Sequence, residues 1–414
     1  MGERRIVVTG AGIISAIGAS VEEAWANARD GVGGIVLKEL DAGPHAPANL
    51  TLPIAQPAPG WEKGVQAGLG PRALMGLDPF AAYALAASYE ALAQAGLAGA
   101  PALMQRAAIV LGHGMGGLET LEKGFERFYG MKSPRMHPTT VPRVMVSAAA
   151  SAVAMAFGVR GVVFATSSAC ASSAHAIAQG AALLKAGLAD IAIVGGSEAV
   201  ATPGSMQAWK AIHALSESNC RPFSIDRDGM VMGEGAGALI LEEAGHARAR
   251  GAPILAELTG MGMTSDAFHI TQPSLEGPVE AIRQAIGGAG LSEAGAMLIS
   301  AHGTGTPIND QNEAAAIKAA LGARAMQCPV IATKSAHGHL IGGAAVVQAA
   351  LGLKALETGL APPILNSLGP DPACDIDLVL GAARPIDAKN LLVNAFAFGG
   401  LNACLVFTRD GAML

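Results

Sequence analysis

Short apolar runs that end in small-residue turns recur along the whole chain. The pattern indicates eight strands with turns rich in Gly, Ser or His: RIVVTGAG, AAIVLGHG, VVFATSSAC, IAIVGGSE, ILAELTGMG, MLISAHGTG, VIATKSAHGH and LLVNAFAFGG. Between several of these runs lie stretches of helical pattern, such as residues 79–95 and 278–288. This alternation predicts an α/β protein with a mainly parallel sheet covered by helices. Ligands of open α/β sheets bind beyond the carboxyl ends of the strands, where these turns fall.

The strand-like runs divide into two sets. The segment EEAGHARARGAP, residues 242–253, has the character of a charged helix end followed by a break, and it separates the two sets. Both sets begin with a strand and a glycine turn, which indicates an internal duplication. We therefore predict an N-terminal domain over residues 1–250 and a C-terminal domain over residues 251–414.

Composition narrows the classes of function. The 414 residues are 51% hydrophobic and carry a formal net charge of −6, without a basic stretch suited to nucleic acid. A mean hydropathy of +0.40 raises the question of a membrane segment. However, the uncharged runs 144–159 and 161–184 are too short or too polar to span a bilayer. Five cysteines without a CxxC pair argue against a disulfide framework, and we expect a cytoplasmic protein without membrane insertion.

One glycine motif is similar to a nucleotide-binding motif, but it is weak evidence for a nucleotide site. GHGMGG, residues 112–117, fits GxGxxG after a strand-like run. The second strand with a terminal acidic residue, which a dinucleotide fold requires, does not follow it. Chance matches are expected in a chain with 54 glycines, so the motif does not predict nucleotide binding.

Cys170, in SSACASSAHAIAQG, follows the strand-like run VVFAT and opens a helical pattern. A core position is the ordinary interpretation of a lone cysteine, because free cysteine is among the most buried residue types. At a helix start, however, free N–H groups and the helix dipole stabilise a thiolate, so we expect a lowered pKa for Cys170. The same N–H groups can hold the oxyanion of a bound carbonyl. The position of Cys170 therefore favours a nucleophile.

His302 in SAHGTGTP and His339 in TKSAHGHLIGG each follow a strand-like run of the second half. A lone loop histidine is usually structural, but two at strand ends, with Lys334 five residues before the second, favour a shared site. Thr304 and Thr306 add hydroxyls beside the first histidine, with turn chemistry as the alternative. For Lys334 the alternative is a salt bridge. A cysteine and two histidines without a metal-binding pattern indicate acyl transfer through a thioester.

Four ordered blocks, SSACASSAHAIAQG, AHGTGTPINDQNE, TKSAHGHLIGGAA and NAFAFGGLN, resemble the signature blocks of elongating β-ketoacyl-[acyl-carrier-protein] synthases. The resemblance covers almost the whole chain. It implies the thiolase fold, in which two similar α/β halves form a five-layered α-β-α-β-α core, and a homodimer. It also implies decarboxylative condensation of an acyl thioester with malonyl-acyl carrier protein. Acyl carrier protein is then the partner, its phosphopantetheine carries the substrates, and no cofactor or metal is expected.

The resemblance also implies a role for particular residues. Cys170 matches the nucleophile, and His302 and His339 match the pair that assists malonyl decarboxylation. Lys334 and Glu313 match a supporting charged pair. The other matches are the phosphopantetheine-binding Thr304 and Thr306, the gating Phe398, whose N–H would join that of Cys170 in an oxyanion hole, and the acyl-tunnel residues Met115 and Trp209. We assign Glu313 and Gly399 to the substrate-binding set as well.

Several positions depart from the common pattern of that family. Leu401 stands where FGGTN has Thr, Met230 replaces the Phe of RDGFV, and His213 stands where an Arg thought to contact the carrier protein is common. These changes leave the chemistry intact but leave primer length and carrier docking open. SDAFHIT, NDQNE and NAFAFGGLN resemble the nodulation protein E branch, so a specialised acyl chain is an alternative to housekeeping elongation.

Two interpretations from other classes remain. A non-catalytic partner similar to a chain-length factor would lack the nucleophilic cysteine, so Cys170 argues against it. A thiolase acting on acyl-coenzyme A would need a second catalytic cysteine near the C-terminus. Cys404 lies inside the strand-like NACLVF, which is the wrong setting for that role.

Overall fold

The computed structural model describes residues 4–43, 48–133, 135–291 and 297–409. In chain order, the strands β1 to β15 of these ranges are Ile6–Ile14, Ile35–Leu40, Leu50–Ala55, Ala108–Gly112, Val163–Thr166, Ile191–Glu198, Met232–Gly233, Gly235–Glu243, Ala256–Ser265, Met297–Ser300, Val330–Ile331, Leu360–Ala361, Arg384–Pro385, Asn390–Ala397 and Leu401–Thr408. The helices α1 to α14 are Val21–Arg29, Lys63–Leu69, Pro79–Gln94, Pro101–Met104, Leu118–Phe125, Thr140–Val144, Ala148–Phe157, Ser172–Lys185, Pro203–Ala211, Ala244–Ala249, Glu276–Gly288, Pro307–Leu321, Lys334–His337 and Ala344–Thr358. Short 3₁₀ or π segments cover Glu126–Gly130, Ala169–Ala171, Gly322–Gln327, Ile341–Gly343 and Pro372–Cys374.

Ten of the strands form one sheet in the order β11-β10-β14-β15-β9-β1-β8-β6-β4-β5. Its two halves have the same pairing. In one half β4 is parallel to β5 and β6, while β8 is antiparallel to β6 and β1. In the other, β10 is parallel to β11 and β14, while β15 is antiparallel to β14 and β9. The prediction of two similar α/β halves is confirmed.

The sheet is mixed, so the prediction of a mainly parallel sheet was wrong. The run LLVNAFAFGG is predicted to be a strand with its terminal turn, but its two final glycines form a tight connection between β14 and β15. Gly399 and Gly400 adopt φ values of +82° and +69°, which glycine reaches without strain. Antiparallel strands can be joined by such a short turn, whereas parallel strands need a long crossover.

The glycines that open each half are strand residues rather than the predicted turns. Gly10 and Gly12 lie inside β1, and a Cβ on either would clash with a carbonyl oxygen of α3. Gly260 and Gly262 lie inside β9 and stand in the same relation to α11. Glycine is therefore needed at all four positions for a close helix–strand approach. The repeated contact supports the internal duplication.

Helices and sheet form five layers. Helices α3 and α7 cover the outer face of the first half-sheet, and α11 and α12 cover that of the second. Helices α8 and α14 lie between the half-sheets in one shared buried cluster. Both central helices are rich in alanine and apolar around most of their circumference, as expected for helices covered on two sides. The predicted five-layered core is confirmed. No helix of the described residues is long and apolar enough to cross a membrane.

The duplication brings the candidate residues to one place. Cys170 lies between β5 and the start of α8, and His339 lies between β11 and the start of α14. These are equivalent positions of the two halves, at the N-terminal ends of the two central helices. His302 follows β10 and Phe398 follows β14. All four residues thus follow the carboxyl ends of strands, the edge at which ligands of α/β sheets bind.

Candidate active site

Cys170 lies in a single 3₁₀ turn, Ala169–Ala171, directly before α8. Its side chain is 5% exposed. The preceding Ala169 has φ +47°, a left-handed conformation that is strained for a residue with a Cβ. The Ser172 hydroxyl secures this turn, since it accepts the Ser168 N–H at 2.9 Å and donates to the Ala169 carbonyl at 2.7 Å. The backbone therefore holds the sulfur in a fixed position at the helix start.

A cavity of about 490 Å³ leads from the surface to Cys170. The predicted site residues that line it are Cys170, His302, Thr304, Thr306, His339, Phe398 and Gly399. Cys170, His302 and His339 are buried, whereas Thr306 is partly exposed. The Thr304 and Thr306 hydroxyls lie 2.9 Å apart. The cavity thus has a reactive inner end, and two threonine hydroxyls lie along the passage that leads to it.

The polar atoms of Cys170, His302 and His339 lie within 4.8 Å of one another. Nε2 of His339 is 3.0 Å from Sγ of Cys170, and the two imidazole rings meet edge to face with centroids 5.4 Å apart. Burial, reinforced by the charge of Lys334, holds the pKa of both histidines well below 6.5. Both rings are therefore neutral at neutral pH, and each carries one N–H.

The hydrogen bonds at Nδ1 decide which nitrogen carries that proton. The Ile341 N–H donates to Nδ1 of His339 at 3.2 Å. The Lys334 ammonium donates to Nδ1 of His302 at 3.4 Å. Because both Nδ1 atoms accept, both rings carry their proton on Nε2. The inner end of the cavity therefore offers two N–H donors beside the cysteine sulfur.

The prediction of a lowered pKa for Cys170 was wrong. Burial raises the pKa of the thiol to about 11, although the Lys334 charge and the backbone N–H groups of Phe398 and Cys170 act in the opposite direction. The helix start thus supplies the expected N–H groups, but burial outweighs them. The resting cysteine is a thiol at neutral pH.

Lys334 and Glu313 both secure His302 rather than each other. The Lys334 ammonium donates to the His302 carbonyl and, at 2.6 Å, to Oε1 of Gln348. The Glu313 carboxylate accepts the N–H groups of His302 at 2.7 Å and Gly303 at 2.8 Å. The Glu313 charge raises the pKa of Lys334, against the larger effect of burial, which lowers it. Glu313 is fully buried and does not line the cavity, so its place in the substrate-binding set stays a prediction.

The other side of Cys170 faces an apolar cluster. Its buried members are Leu40, Cys170, Val200, Met206, Met230, Met232 and Ile341. Trp209 packs on this cluster, and its ring stacks on that of Phe398 with centroids 6.3 Å apart. Trp209 is not among the residues that line the cavity. Phe398 thus lines the cavity and also packs on this apolar cluster, which is suited to an acyl chain.

Met115 lies outside both regions. Its side chain is 45% exposed, and it belongs neither to the cavity lining nor to the apolar cluster. Its N–H donates to the buried carboxylate of Glu198, which also accepts the N–H groups of Gly114 and Gly342. The expected tunnel contact of Met115 is therefore not seen within this single chain.

The sequence patterns did not point to several residues that support the active site. Asp310 accepts the N–H groups of Thr304 and Gly305 and so shapes the threonine loop. Gln348 connects Lys334 to the Ser300 and Ala301 carbonyls, and Asn394 donates to Glu313 at 3.0 Å. The sequence did hold a signal, because Gln348 and Asn394 are single polar residues in apolar elements, VVQAALG and LLVNAFAF.

A buried cysteine beside converging N–H donors, at the end of a cavity open to the surface, defines an enzyme that transfers acyl groups through a thioester. The chain belongs to the β-ketoacyl synthase family. Residues 3–247 match the family model described as "Beta-ketoacyl synthase, N-terminal domain", and residues 255–367 match "Beta-ketoacyl synthase, C-terminal domain". It is therefore a condensing enzyme with the thiolase fold.

Full-length relatives agree with this assignment. The chain is 38% identical over 410 residues to "Nodulation protein E" of Rhizobium meliloti (strain 1021), covering 98% of this chain and 100% of the relative. It is 35% identical over 414 residues to "3-oxoacyl-[acyl-carrier-protein] synthase 2" of Staphylococcus aureus (strain COL), covering 98% of each. A similar solved structure is titled "AntDE:AntF (apo): type II PKS acyl-carrier protein in complex with its ketosynthase bound to the hexaketide". It has a TM-score of 0.87 and 29% identity, and the match covers 99% of this chain and 100% of that one.

Proposed function

We propose that this enzyme extends acyl chains by condensing an acyl group, held on Cys170, with malonyl-acyl carrier protein. The observation that carries the proposal is the convergence of the Cys170 sulfur with a ring nitrogen of His302 and one of His339, all within 4.8 Å of one another, at the inner end of a cavity. The names of the synthase relative and of the solved complex support acyl carrier protein as the substrate carrier.

The first step loads the primer. The Cys170 sulfur attacks the thioester carbonyl, the bond from that carbonyl to the carrier sulfur breaks, and the thiol proton leaves with the carrier as its free thiol. The backbone N–H groups of Cys170 and Phe398, which face the sulfur, are placed to stabilise the oxyanion that forms next to it. Because the pKa of Cys170 is about 11, the proton leaves in the course of the transfer rather than before it.

The second step makes the carbon nucleophile. The malonyl group loses CO₂, and the electron pair of the broken C–C bond passes into an enolate whose oxygen becomes negative. The Nε2–H groups of His302 and His339 are the donors available at that point, since Lys334 and the Ile341 N–H fix their tautomers. Neutral donors in a buried site stabilise the new charge without a prior change in protonation.

The third step joins the two chains. The enolate carbon attacks the carbonyl of acyl-Cys170, the carbon–sulfur bond breaks, and the departing thiolate takes up one proton from solvent to regain the thiol. His339 Nε2–H, 3.0 Å from Sγ, is placed to stabilise the departing thiolate. The high pKa of the thiol then favours its protonation and completes the cycle.

The two other classes fit the site less well. A non-catalytic chain-length factor would not need a nucleophile at the end of the cavity. A thiolase would need a second cysteine there, whereas Cys404 is fully buried outside the cavity lining and donates to Asn394. The site therefore favours a catalytic condensing enzyme.

The proposal includes a homodimer in the cytoplasm, with domains at residues 1–250 and 251–414. Exposed large apolar side chains are concentrated in one segment of the first half: Met115, Phe125, Phe128, Tyr129, Met131, Met136, Val141, Met145, Val146, Met155 and Val162. Such exposure marks an interaction surface. Strand β5 adds an edge whose only neighbour among the described strands is β4. All five cysteines are free, which suits a reducing compartment.

The test is product formation from acyl carrier and malonyl carrier proteins, followed by intact mass spectrometry. The proposal predicts a β-ketoacyl carrier that depends on both substrates and disappears in Cys170→Ala. Release of CO₂ without an acyl-enzyme and without condensation product would contradict it.

A further inference from the structure

The glycine loop GHGMGG, residues 112–117, binds a carboxylate of the protein itself. Glu198 is the last residue of β6 and is fully buried. Its Oε2 accepts the Gly114 N–H at 2.7 Å, and its Oε1 accepts the Met115 N–H at 3.1 Å. Successive backbone N–H groups that converge in this way form an anion-binding concavity. The side chain of Glu198 takes the place of the anion, so the motif serves the interior of the fold.

The same carboxylate reaches a segment of the other half of the fold. Oε2 of Glu198 also accepts the N–H of Gly342 at 3.0 Å. Gly342 lies in the 3₁₀ turn Ile341–Gly343. A Cβ on Gly114 would lie 2.6 Å from Cγ2 of Ile341, and one on Gly342 would lie 2.7 Å from the Gly114 nitrogen. Both glycines are therefore needed for the two segments to meet at the carboxylate.

Ile341 has a strained backbone in that turn. Its φ is +38°, in the left-handed region, which is rare and costly for a β-branched residue. Such strain persists only where the surrounding structure fixes the backbone, and the hydrogen bond from the adjacent Gly342 to Glu198 does so here. In this conformation the Ile341 N–H donates to Nδ1 of His339 at 3.2 Å. The Ile341 side chain packs in the apolar cluster that contains Cys170.

We propose that Glu198 is a positioning residue for His339, because it fixes the strained turn whose N–H keeps the His339 proton on Nε2. The inference rests on the role in malonyl decarboxylation proposed above for His339. Without the carboxylate, the backbone of Ile341 can relax, and its N–H then turns away from Nδ1. The imidazole loses its fixed tautomer and orientation, and with them the Nε2–H that faces the developing enolate.

The charge of Glu198 is part of this arrangement. Burial raises the pKa of Glu198 to about 7, whereas the backbone N–H groups that it accepts act in the opposite direction. The carboxylate is therefore largely ionised at about pH 8. An amide in its place has one acceptor oxygen, and its NH₂ group opposes the N–H groups of the loop and the turn. Glu198→Gln thus removes these hydrogen bonds with little change in volume.

The test measures the two half-reactions of Glu198→Gln separately at about pH 8. The kcat for release of labelled CO₂ from malonyl carrier protein should fall about tenfold with KM unchanged, because a misplaced donor slows the reaction without removing the binding contacts. Acyl-Cys170 formation, followed by intact mass spectrometry, should not fall, since the loss of the His339 donor spares this step.

Glu90→Gln is the matched control. Its carboxylate also accepts two backbone N–H groups, those of Ile13 at 2.8 Å and Val21 at 2.7 Å, between β1 and α1. The same chemical change there should leave the ratio of the two half-reactions equal to that of the wild type.

Ile341→Gly tests the path through the turn. Glycine adopts positive φ without strain, so the turn should depend less on the carboxylate. In this background Glu198→Gln should lower CO₂ release much less than it does in the wild type, which is the non-additivity expected of residues that act together. An equal loss in both backgrounds would overturn the proposed path.

A second substitution covers failure of the first to fold, as judged by circular dichroism. Glu198→Asp keeps the charge but is one methylene too short to accept from both Gly114 and Gly342, so it should show the same separation of the half-reactions. Wild-type CO₂ release in either folded variant, a parallel loss of both half-reactions, or loss of folding in both variants would overturn the positioning role. A wild-type enzyme that releases no CO₂ from malonyl carrier protein would contradict the proposed function itself.

Discussion

Nε2 of His339 lies 3.0 Å from Sγ of Cys170, although 169 positions separate the two residues along the chain. Each lies at the start of a central helix, Cys170 before α8 and His339 before α14, in equivalent places of the two halves. The duplicated fold therefore brings a nucleophile from one half against a donor from the other. In this arrangement, one helix start carries the acyl group while the other helps to activate the second substrate.

Alkylation of Cys170 should accelerate steeply with pH. Because burial raises the pKa of the thiol to about 11 and the thiolate is the reactive form, the rate with iodoacetamide should rise about tenfold per unit between about pH 7 and 9. Peptide mass spectrometry measures it, with Cys170→Ser as the control for the other four cysteines, all of them buried. A rate independent of pH in this range would instead support the lowered pKa expected from the helix start.

Trp209→Ala should shift primer use towards longer acyl chains. The indole stacks on Phe398 and packs on the apolar cluster around Cys170, so its removal opens space beside the nucleophile. The measurement is acyl-enzyme formation from a series of saturated acyl carriers. Trp61→Ala, which truncates an aromatic residue packed on Tyr83 outside this cluster, is the matched control. If the primer profile of Trp209→Ala equals that of the wild type, Trp209 lies outside the acyl path.

Glu313→Gln should slow CO₂ release more than acyl loading. Its carboxylate accepts the N–H groups of His302 and Gly303, and an amide cannot accept both with the same geometry. A displacement of His302 by up to about 1 Å should lower the rate of decarboxylation about 10- to 100-fold. Release of labelled CO₂ is compared with that of Glu280→Gln, an exposed change on α11. Equal loss of both half-reactions would show that Glu313 acts through overall stability alone.

Gly260→Ala should destabilise the fold, because the new Cβ would clash with the Ala285 carbonyl oxygen. Moving a backbone in a packed layer should lower the free energy of unfolding by about 3 kcal/mol. Gly64→Ala is the matched change, since α2 leaves open space there, and it should raise that free energy by about 0.5–1 kcal/mol. Urea unfolding followed by circular dichroism measures both. A neutral Gly260→Ala would contradict the close approach of β9 and α11.

Much of this arrangement can be predicted from the sequence, whereas some identifiable parts cannot. The small-residue turns placed Cys170, His302 and His339 at strand ends, because polar residues after apolar runs are a local signal. The strand character of Gly10 and Gly260 was missed, since a glycine that permits helix contact and one that makes a turn have the same local signature. The pKa of Cys170 was predicted with the wrong sign, because burial depends on distant residues that enclose the sulfur.

Separation of the two half-reactions by mutation tests the roles of Cys170, His302 and His339 together. Intact mass spectrometry follows acyl-enzyme formation, and labelled malonyl carrier protein reports the release of CO₂. His302→Ala and His339→Ala should still form acyl-Cys170, while their CO₂ release should fall about 10²- to 10³-fold, the typical cost of one lost donor. Cys170→Gln should form no acyl-enzyme and keep CO₂ release, because its neutral amide resembles the acylated cysteine. Wild-type rates of CO₂ release in both histidine variants would contradict the assignment.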